Sequence, residues 1–253
     1  MTILILGGTA EARQLAAALV ADGLDVISSL AGRVNSPSLP LGRVRVGGFG
    51  GADGLAEYLR GHQVSSIVDA THPFAATISV NALQAANRTS TPLVRLERPG
   101  WHGHPRSSSW TWVANGAAAR AVAAAASTPF LTTGRQSLPD FHPWADRDVL
   151  VRLVDPPTAP LPQRWILIIS RGPYSYAGER QILTAHSIDV LITKDSGGAH
   201  TVAKLDAASD LGIPVVIIAR PERPQVPHLE TVAEVIAWCR SAEALRFVGR
   251  SIP

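Results

Sequence analysis

Cysteine is almost missing from this chain. Cys239 is the only one in 253 residues, so no disulfide can form within it and no C-x-x-C pair is available for redox work or zinc. Lysine is nearly as scarce, since only Lys194 and Lys204 accompany the arginines. Basic runs and basic helix faces are absent, which argues against nucleic acid as a partner. No apolar stretch is long enough to span a bilayer, and the N-terminus lacks the basic segment of an export signal. No membrane association is expected, and a reducing, cytoplasmic setting follows. Several chemistries lack their residues. Tyr58, Tyr174 and Tyr176 have no lysine four positions on, which disfavours ordinary short-chain dehydrogenase catalysis. Neither lysine fits G-x-x-x-x-G-K-[ST], and neither H-E-x-x-H nor G-x-S-x-G occurs. His102 and His104 share a Gly/Pro loop without an evident third ligand, so no metal is expected.

What remains is apolar, arginine-bearing and regularly punctuated by glycine. Charged residues make up 17% and the formal net charge is +3. Arginine holds carboxylates and phosphates with a planar fork, which points to an anionic ligand. The first two dozen residues organise the rest. Thr2 to Leu6 is a short β-branched apolar run, Gly7-Gly8 ends it, and Ala10 to Ala21 are helix formers with Leu15 and Leu19 four apart. Strand, glycine turn and helix open a nucleotide-binding βαβ unit, in which backbone N–H groups at the helix start attract a pyrophosphate. Ala12 stands where the third glycine of G-x-G-x-x-G would be, so a tight turn in some other α/β protein remains open.

Strand-like and helix-like segments then alternate to the end, which predicts the α/β class with parallel sheets. Leu24–Leu30, Arg43–Val46, Ser66–Ala70, Thr91–Leu96 and Ser108–Val113 read as strands. Helices are expected over Leu55–Arg60, from about Pro73 to Arg88, and over Gly116–Ala126. Pro73 suits a first helical turn, with Thr71 or His72 as the cap. The pattern restarts with strands at Phe130, Asp148–Val154, Trp165–Ile169, Asp189–Thr193 and Ile213–Ala219. Helices are read at Ala177–His186, after Gly198 to Leu211, and at Thr231–Arg240. The proline-rich run 155–162 is stiff and irregular. Two Rossmann-like domains are expected, 1–114 for the dinucleotide and 115–253 for the substrate, with the active site in the cleft between them.

Ligands of parallel sheets collect beyond the carboxyl ends of the strands. In the first half these ends are Gly7-Gly8-Thr9, Ser29 to Arg33 (with Gly32), Gly47-Gly48 and Thr71-His72-Pro73. NAD recognition favours an acidic residue at the second strand end, and none follows Asp25 there. Serines and Arg33 suit a 2′-phosphate and hence NADP, unless Arg33 is only a solvated loop residue. His72 either caps the next helix or touches the ligand. In the second half the ends are Thr133-Gly134-Arg135, Ser170-Arg171-Gly172 and Thr193-Lys194-Asp195-Ser196-Gly197-Gly198. Each combines a hydroxyl, a cation and a glycine. Together they form either a rim for several carboxylates or phosphates, or three unrelated capped turns.

These phrases resemble one family. Ile5 to Ala12, Val68-Asp69-Ala70-Thr71-His72-Pro73-Phe74-Ala75, Thr132 to Arg135, Ser170 to Pro173 and Thr193 to Gly198 are similar, in order, to the precorrin-6A reductases of cobalamin biosynthesis. The resemblance implies NADPH-dependent reduction of precorrin-6A to precorrin-6B, with hydride to carbon 19 and a proton to carbon 18. It implies two Rossmann-like domains, a polycarboxylate tetrapyrrole substrate, transient contacts with neighbouring pathway enzymes, and the exchange of a strand between domains. On it, Gly7, Gly8, Thr9, Glu11, Ser29, Gly32 and Arg33 hold NADPH, and Gly48, Thr71, His72 and Pro73 line its path. Arg135, Ser170, Arg171, Tyr174, Asp195, Ser196 and Gly197 meet the substrate, and Lys194 is the candidate proton donor. Two alternatives stand beside it: reduction of the cobalt-containing substrate, and a non-catalytic NADP sensor.

Overall fold

In the computed structural model, residues 1–32, 39–198 and 201–248 are described, with side chains through 241. The chain forms β1 (Thr2–Leu6), α1 (Ala10–Ala21), β2 (Asp25–Leu30), β3 (Arg43–Val46), α2 (Gly51–Gly61), β4 (Val64–Asp69), α3 (Ala76–Thr89) and β5 (Leu93–Leu96). There follow β6 (Thr111–Val113), α4 (Gly116–Val122), β7 (Pro129–Thr132), a 3-10 helix (Arg135–Trp144), β8 (Val149–Leu153) and β9 (Trp165–Ile169). The remainder is α5 (Tyr176–Ala185), β10 (Val190–Lys194), α6 (Ala203–Asp210), β11 (Val215–Ile218), β12 (His228–Leu229) and α7 (Val232–Val248).

Two compact units emerge, and neither matches the halves expected from the sequence. One comprises Met1–Arg98 with Glu222–Pro253, the other Pro99–Pro221. The first holds a six-stranded sheet in the order β12-β5-β4-β1-β2-β3, the second one in the order β6-β11-β10-β7-β8-β9. Every recorded pairing is parallel. Renumbered within its own unit, the first sheet runs 3-2-1-4-5-6, the dinucleotide-fold order, and the second runs 4-3-2-5-6-1, the same layout with its outermost sixth place filled by the strand that comes first in the chain. The sixth strands are what displace the boundary from 114. β6, which fills the sixth place of its sheet, is the first strand of its unit in the chain, and β12 follows the whole second unit.

In the first unit, α1 buries Ala12, Leu15, Ala16 and Leu19, an i, i+3, i+4, i+7 stripe, against Ile3, Ile5 and Val26 of the sheet. Val235 and Cys239 of α7 complete that layer. Leu55, Ala56 and Leu59 of α2 and Ala82, Ala85 and Ala86 of α3 cover the opposite face. The core of the second unit gathers Phe130, Leu150, Leu191 and Ile217 from four strands with Leu183 of α5 and Leu205 of α6. A charged cluster is buried beside it. Arg152 forks onto Glu179, with Nη1 donating to Oε2 at 3.0 Å and Nη2 at 2.9 Å from Oε1. The guanidinium lies 4.9 Å from the Phe130 ring centre and 4.3 Å from that of Tyr174. Lys204 is also buried, its Nζ 5.6 Å from the Trp101 ring centre.

Some boundaries differ from the sequence reading. α3 begins at Ala76, so Pro73 is not in its first turn and neither Thr71 nor His72 caps it. The Thr71 hydroxyl is committed to Asp69, and Ala75 N closes a separate turn onto the His72 carbonyl. α4 stops at Val122 rather than Ala126, and Ser107–Ser109 is a 3-10 turn ahead of the three-residue β6.

Candidate functional site

In the first unit β1 and β4 lie side by side and their following segments diverge to opposite faces, which makes their carboxyl ends the switch point of the sheet. Gly8 takes φ +115, a conformation costly for residues with a Cβ, and so turns the chain from β1 into α1. Thr9 is the N-cap. Its Oγ1 accepts from Ala12 N at 3.1 Å and donates to the Ala70 carbonyl at 3.0 Å, fastening the helix start to the end of β4. A pocket here is lined by Thr9, Glu11, Thr71 and Pro73, all expected from the sequence, together with Glu97, Arg98 and Arg223, which were not.

A buried network underlies the pocket. Asp69, at the end of β4, accepts from Thr71 N at 3.2 Å, Thr71 Oγ1 at 2.6 Å and Ser79 Oγ at 2.6 Å. Arg223 Nη2 donates to Asp69 Oδ2 at 2.9 Å and to Ser79 Oγ at 2.6 Å, and Arg95 Nε stands 3.5 Å from the same carboxylate. Arg98 Nη1 donates to Glu11 Oε2 at 2.7 Å. The negative charge in the first turn of α1 is thereby balanced by a cation, which leaves that helix terminus receptive to an anion. His72 is half-buried, its Nδ1 accepting from Phe74 N at 3.2 Å.

The second strand ending is built around a residue missed from sequence. Arg45 of β3 donates to Ser29 Oγ at 3.2 Å, to the Gly47 carbonyl at 2.7 Å and to the Gly48 carbonyl at 2.7 Å, and stacks 3.7 Å from the Phe49 ring centre. It thus joins Ser29 to the Gly47-Gly48 turn. A Cβ added at Gly8, Gly47 or Gly48 would meet nothing within 4 Å, so the rim is open above these glycines. Gly7 N donates to the Ser29 carbonyl at 3.0 Å, and Gly32 is exposed. Arg33 lies outside the described residues. An open glycine rim, a capped helix start and a fixed cation beside the second strand suit the phosphates and ribose of a dinucleotide.

In the second unit β7, β9 and β10 are parallel members of one sheet, so their carboxyl ends share an edge, as the sequence required. Arg135 opens the 3-10 helix and reaches the Pro156 carbonyl at 3.5 Å. Arg171 is exposed, and Tyr174 donates its hydroxyl to the Ser170 carbonyl at 3.0 Å. Lys194 ends β10, and burial lowers its ammonium below the usual lysine range, with Asp140 pulling the other way. Ser196 Oγ lies 3.2 Å from Thr201 Oγ1, while Asp195 is buried and accepts from Trp101 N at 3.0 Å. Among the described residues no group of three or more His, Cys, Asp or Glu is gathered as a metal would need, and no helix is long and apolar enough to cross a membrane.

Arg223 and Arg98 escaped sequence reading because each acts on a partner remote in the chain, Arg223 being 154 positions from Asp69 and Arg98 87 from Glu11, and no local spacing encodes that. Arg45 instead braces the turn directly after its own strand, and of its contacts only Ser29 lies on another element.

Comparison with known proteins places these features in context. The family model described as precorrin-6x reductase CbiJ/CobK matches residues 2–240. The precorrin-6A reductase of Rhodococcus erythropolis is 52% identical over 241 residues, covering 93% of this chain and 96% of that protein. The cobalt-precorrin-6A reductase of Priestia megaterium is 31% identical over 251 residues, covering 92% and 96%. A solved structure of CobK precorrin-6A reductase superposes with a TM-score of 0.90 at 40% identity, covering 96% of this chain and 97% of that one.

Proposed function

The chain belongs to the precorrin-6x reductase family, and from that premise we propose that it reduces precorrin-6A to precorrin-6B with NADPH, a hydride going to carbon 19 and a proton to carbon 18 of the macrocycle. The observation that carries this reading is the open carboxyl edge of the first sheet, which carries Gly8 and the Thr9 cap after β1 and the Arg45-braced Gly47-Gly48 turn after β3, in a chain that the family model matches over residues 2–240. The metal-free substrate is favoured over the cobalt-containing one because identity is higher to relatives named for it.

NADPH, when bound, supplies the hydride. Gly7 to Thr9 and the start of α1 would take its pyrophosphate, with Glu11 held aside by Arg98. Ser29, Gly32 and Arg33 would take the ribose and its 2′-phosphate, and Gly48 with Thr71 to Pro73 would line the rest of its path. Arg135, Ser170, Arg171, Tyr174, Ser196 and Gly197 would receive the substrate's carboxylates. Forked guanidinium contacts are the strong form of that recognition. Lys194 is the proton donor in this scheme. Its lowered ammonium lies nearer the working pH than an ordinary lysine, which improves it as an acid. Holding hydride donor and ring carbon in contact supplies much of the rate.

The test is oxygen-free NADPH oxidation, followed by absorbance, with and without precorrin-6A. Oxidation that requires the tetrapyrrole and changes its spectrum is the expected result. NADPH bound without turnover on precorrin-6A, but with turnover on the cobalt form, would reassign the substrate. Failure on both would leave a cofactor-binding protein and refute the reductase reading.

A further inference from the structure

We propose that Asp195 is a positioning residue, whose carboxylate fixes the Ser196-Gly197 loop against both segments by which the chain passes between its two units. The proposal rests on the reading of that loop as part of the substrate site.

Asp195 sits immediately after β10, with a side chain 3% exposed. Its Oδ1 accepts from Trp101 N at 3.0 Å, on the segment that leaves the first unit after Arg98. Its Oδ2 lies 3.3 Å from Arg220 Nε, on the segment that returns after Pro221. The same Nε is 3.2 Å from the Asp195 backbone carbonyl. Asp195 N in turn donates to the Ile218 carbonyl at 2.9 Å.

The packing leaves no room for slack. A Cβ at Gly100 would stand 2.6 Å from Asp195 Oδ2. Gly197 has φ +64, and a Cβ there would strike the Pro99 carbonyl and lie 2.6 Å from Arg220 Nη2. One carboxylate therefore accepts a backbone N–H from one passing segment, pairs with a cation on the other, and belongs itself to the loop between Lys194 and Gly197.

Beyond these segments in sequence, two arginines are anchored within the first unit. Arg98 is paired with Glu11 at 2.7 Å in the first turn of α1, and Arg223 with Asp69 at 2.9 Å beneath Thr71. A free carboxylate would repel an anionic substrate. Neutralised by Arg220 and turned inward, Asp195 shapes the loop without facing the ligand.

The experiment pairs two variants. Asp195→Asn keeps an acceptor for Trp101 N but gives up the charge pairing with Arg220. Gly100→Ala leaves Asp195 in place and drives a methyl into its carboxylate from a segment 95 positions away in sequence. Steady-state kinetics with precorrin-6A and NADPH are measured beside hydrogen exchange over residues 193–198 and thermal melting. In each variant the KM for precorrin-6A should rise roughly tenfold or more, with that for NADPH within about twofold, and exchange over 193–198 should accelerate.

Equal rises in both KM values, or a folded Gly100→Ala enzyme with unchanged substrate KM, would overturn the proposal. If Asp195→Asn fails to fold, Gly100→Ala carries the test. Absence of turnover in the parent enzyme would instead defeat the reductase reading. The exchange measurement would then decide the junction, unchanged exchange in Gly100→Ala being the refuting result.

Discussion

Lys204 is predicted to cost the protein stability, and replacing it with methionine should raise stability in a way that depends on pH. The ammonium is buried among Arg152, Glu179 and Trp101, where Glu179 is already forked onto Arg152. Burial lowers it from 10.5 to about 7, Arg152 adding to the fall and Glu179 opposing it. At about 1.4 kcal/mol per pH unit this sets a ceiling of about 5 kcal/mol on the penalty. Relaxation and water penetration reduce such figures, and loss of the Trp101 contact removes about 0.5–1 kcal/mol. A net gain of about 2–4 kcal/mol at pH 6 is the expectation for Lys204→Met. The direction with pH follows from proton counting. Between about 7 and 10.5 the unfolded chain holds a proton on Lys204 that the folded protein has released, so the parent gains stability as pH rises through that window. The advantage of the variant is full below about 7 and fades toward 10.5. Urea unfolding of both proteins at pH 6, 7.5 and 9 measures it. A gap that does not change with pH, or a variant less stable at pH 6, would refute the reasoning.

Three further outcomes are expected. Asp69→Asn should cost about 3–5 kcal/mol in urea unfolding, because Arg223 and Arg95 lose the buried carboxylate that pairs them; a loss below 1 kcal/mol would mean the network is solvated. Arg33→Ala should weaken NADPH by about 1.5–3 kcal/mol and leave NADH nearly unchanged, whereas Arg45→Ala, which frees the Gly47-Gly48 turn, should weaken both in titration calorimetry; equal losses for Arg33→Ala would remove it from the 2′-phosphate. Turnover that depends on the Lys194 ammonium should hold at low pH and fall as pH rises through its lowered pKa, and Lys194→Met should reduce kcat without a matching rise in substrate KM; a pure KM effect would make it a binding residue.

The legible parts of this protein are those that one strand and its following turn can encode. Gly7-Gly8-Thr9 and the Leu15/Leu19 stripe announce β1 and α1, and the structure builds them where they were read. The cationic ends after β7, β9 and β10 do share one sheet edge, because alternation of strands and helices already implied parallel pairing. Pro73 misled because it sits in a separate turn, closed by Ala75 N onto the His72 carbonyl, after Asp69 has fixed Thr71, so that α3 starts only at Ala76. β6 falls within the Ser108–Val113 strand read from the sequence, but the two-residue β12 is too short to carry any period, and the sheet each one joins is fixed by partners distant in the chain. The domain boundary went wrong with them. Arg135 to Trp144 hid as a helix because Pro139 and Pro143 forbid the α pattern while 3-10 geometry admits them.

The late arrival of β12 and α7 has a consequence for how the molecule is made. Residues 99–221 are one uninterrupted run, so the second unit has all its strands as soon as it leaves the ribosome. The first unit begins earlier and finishes later. After 98 residues the β5 edge still lacks its neighbour, Leu15 and Leu19 still lack Val235 and Cys239, and Asp69 still lacks Arg223. The glycine turn and the Thr71 segment are complete in sequence by residue 75, yet they gain their backing only when the last stretch of the chain returns. A nonsense mutation after residue 221 would spare every motif named for the cofactor and still leave the half that carries them unfinished.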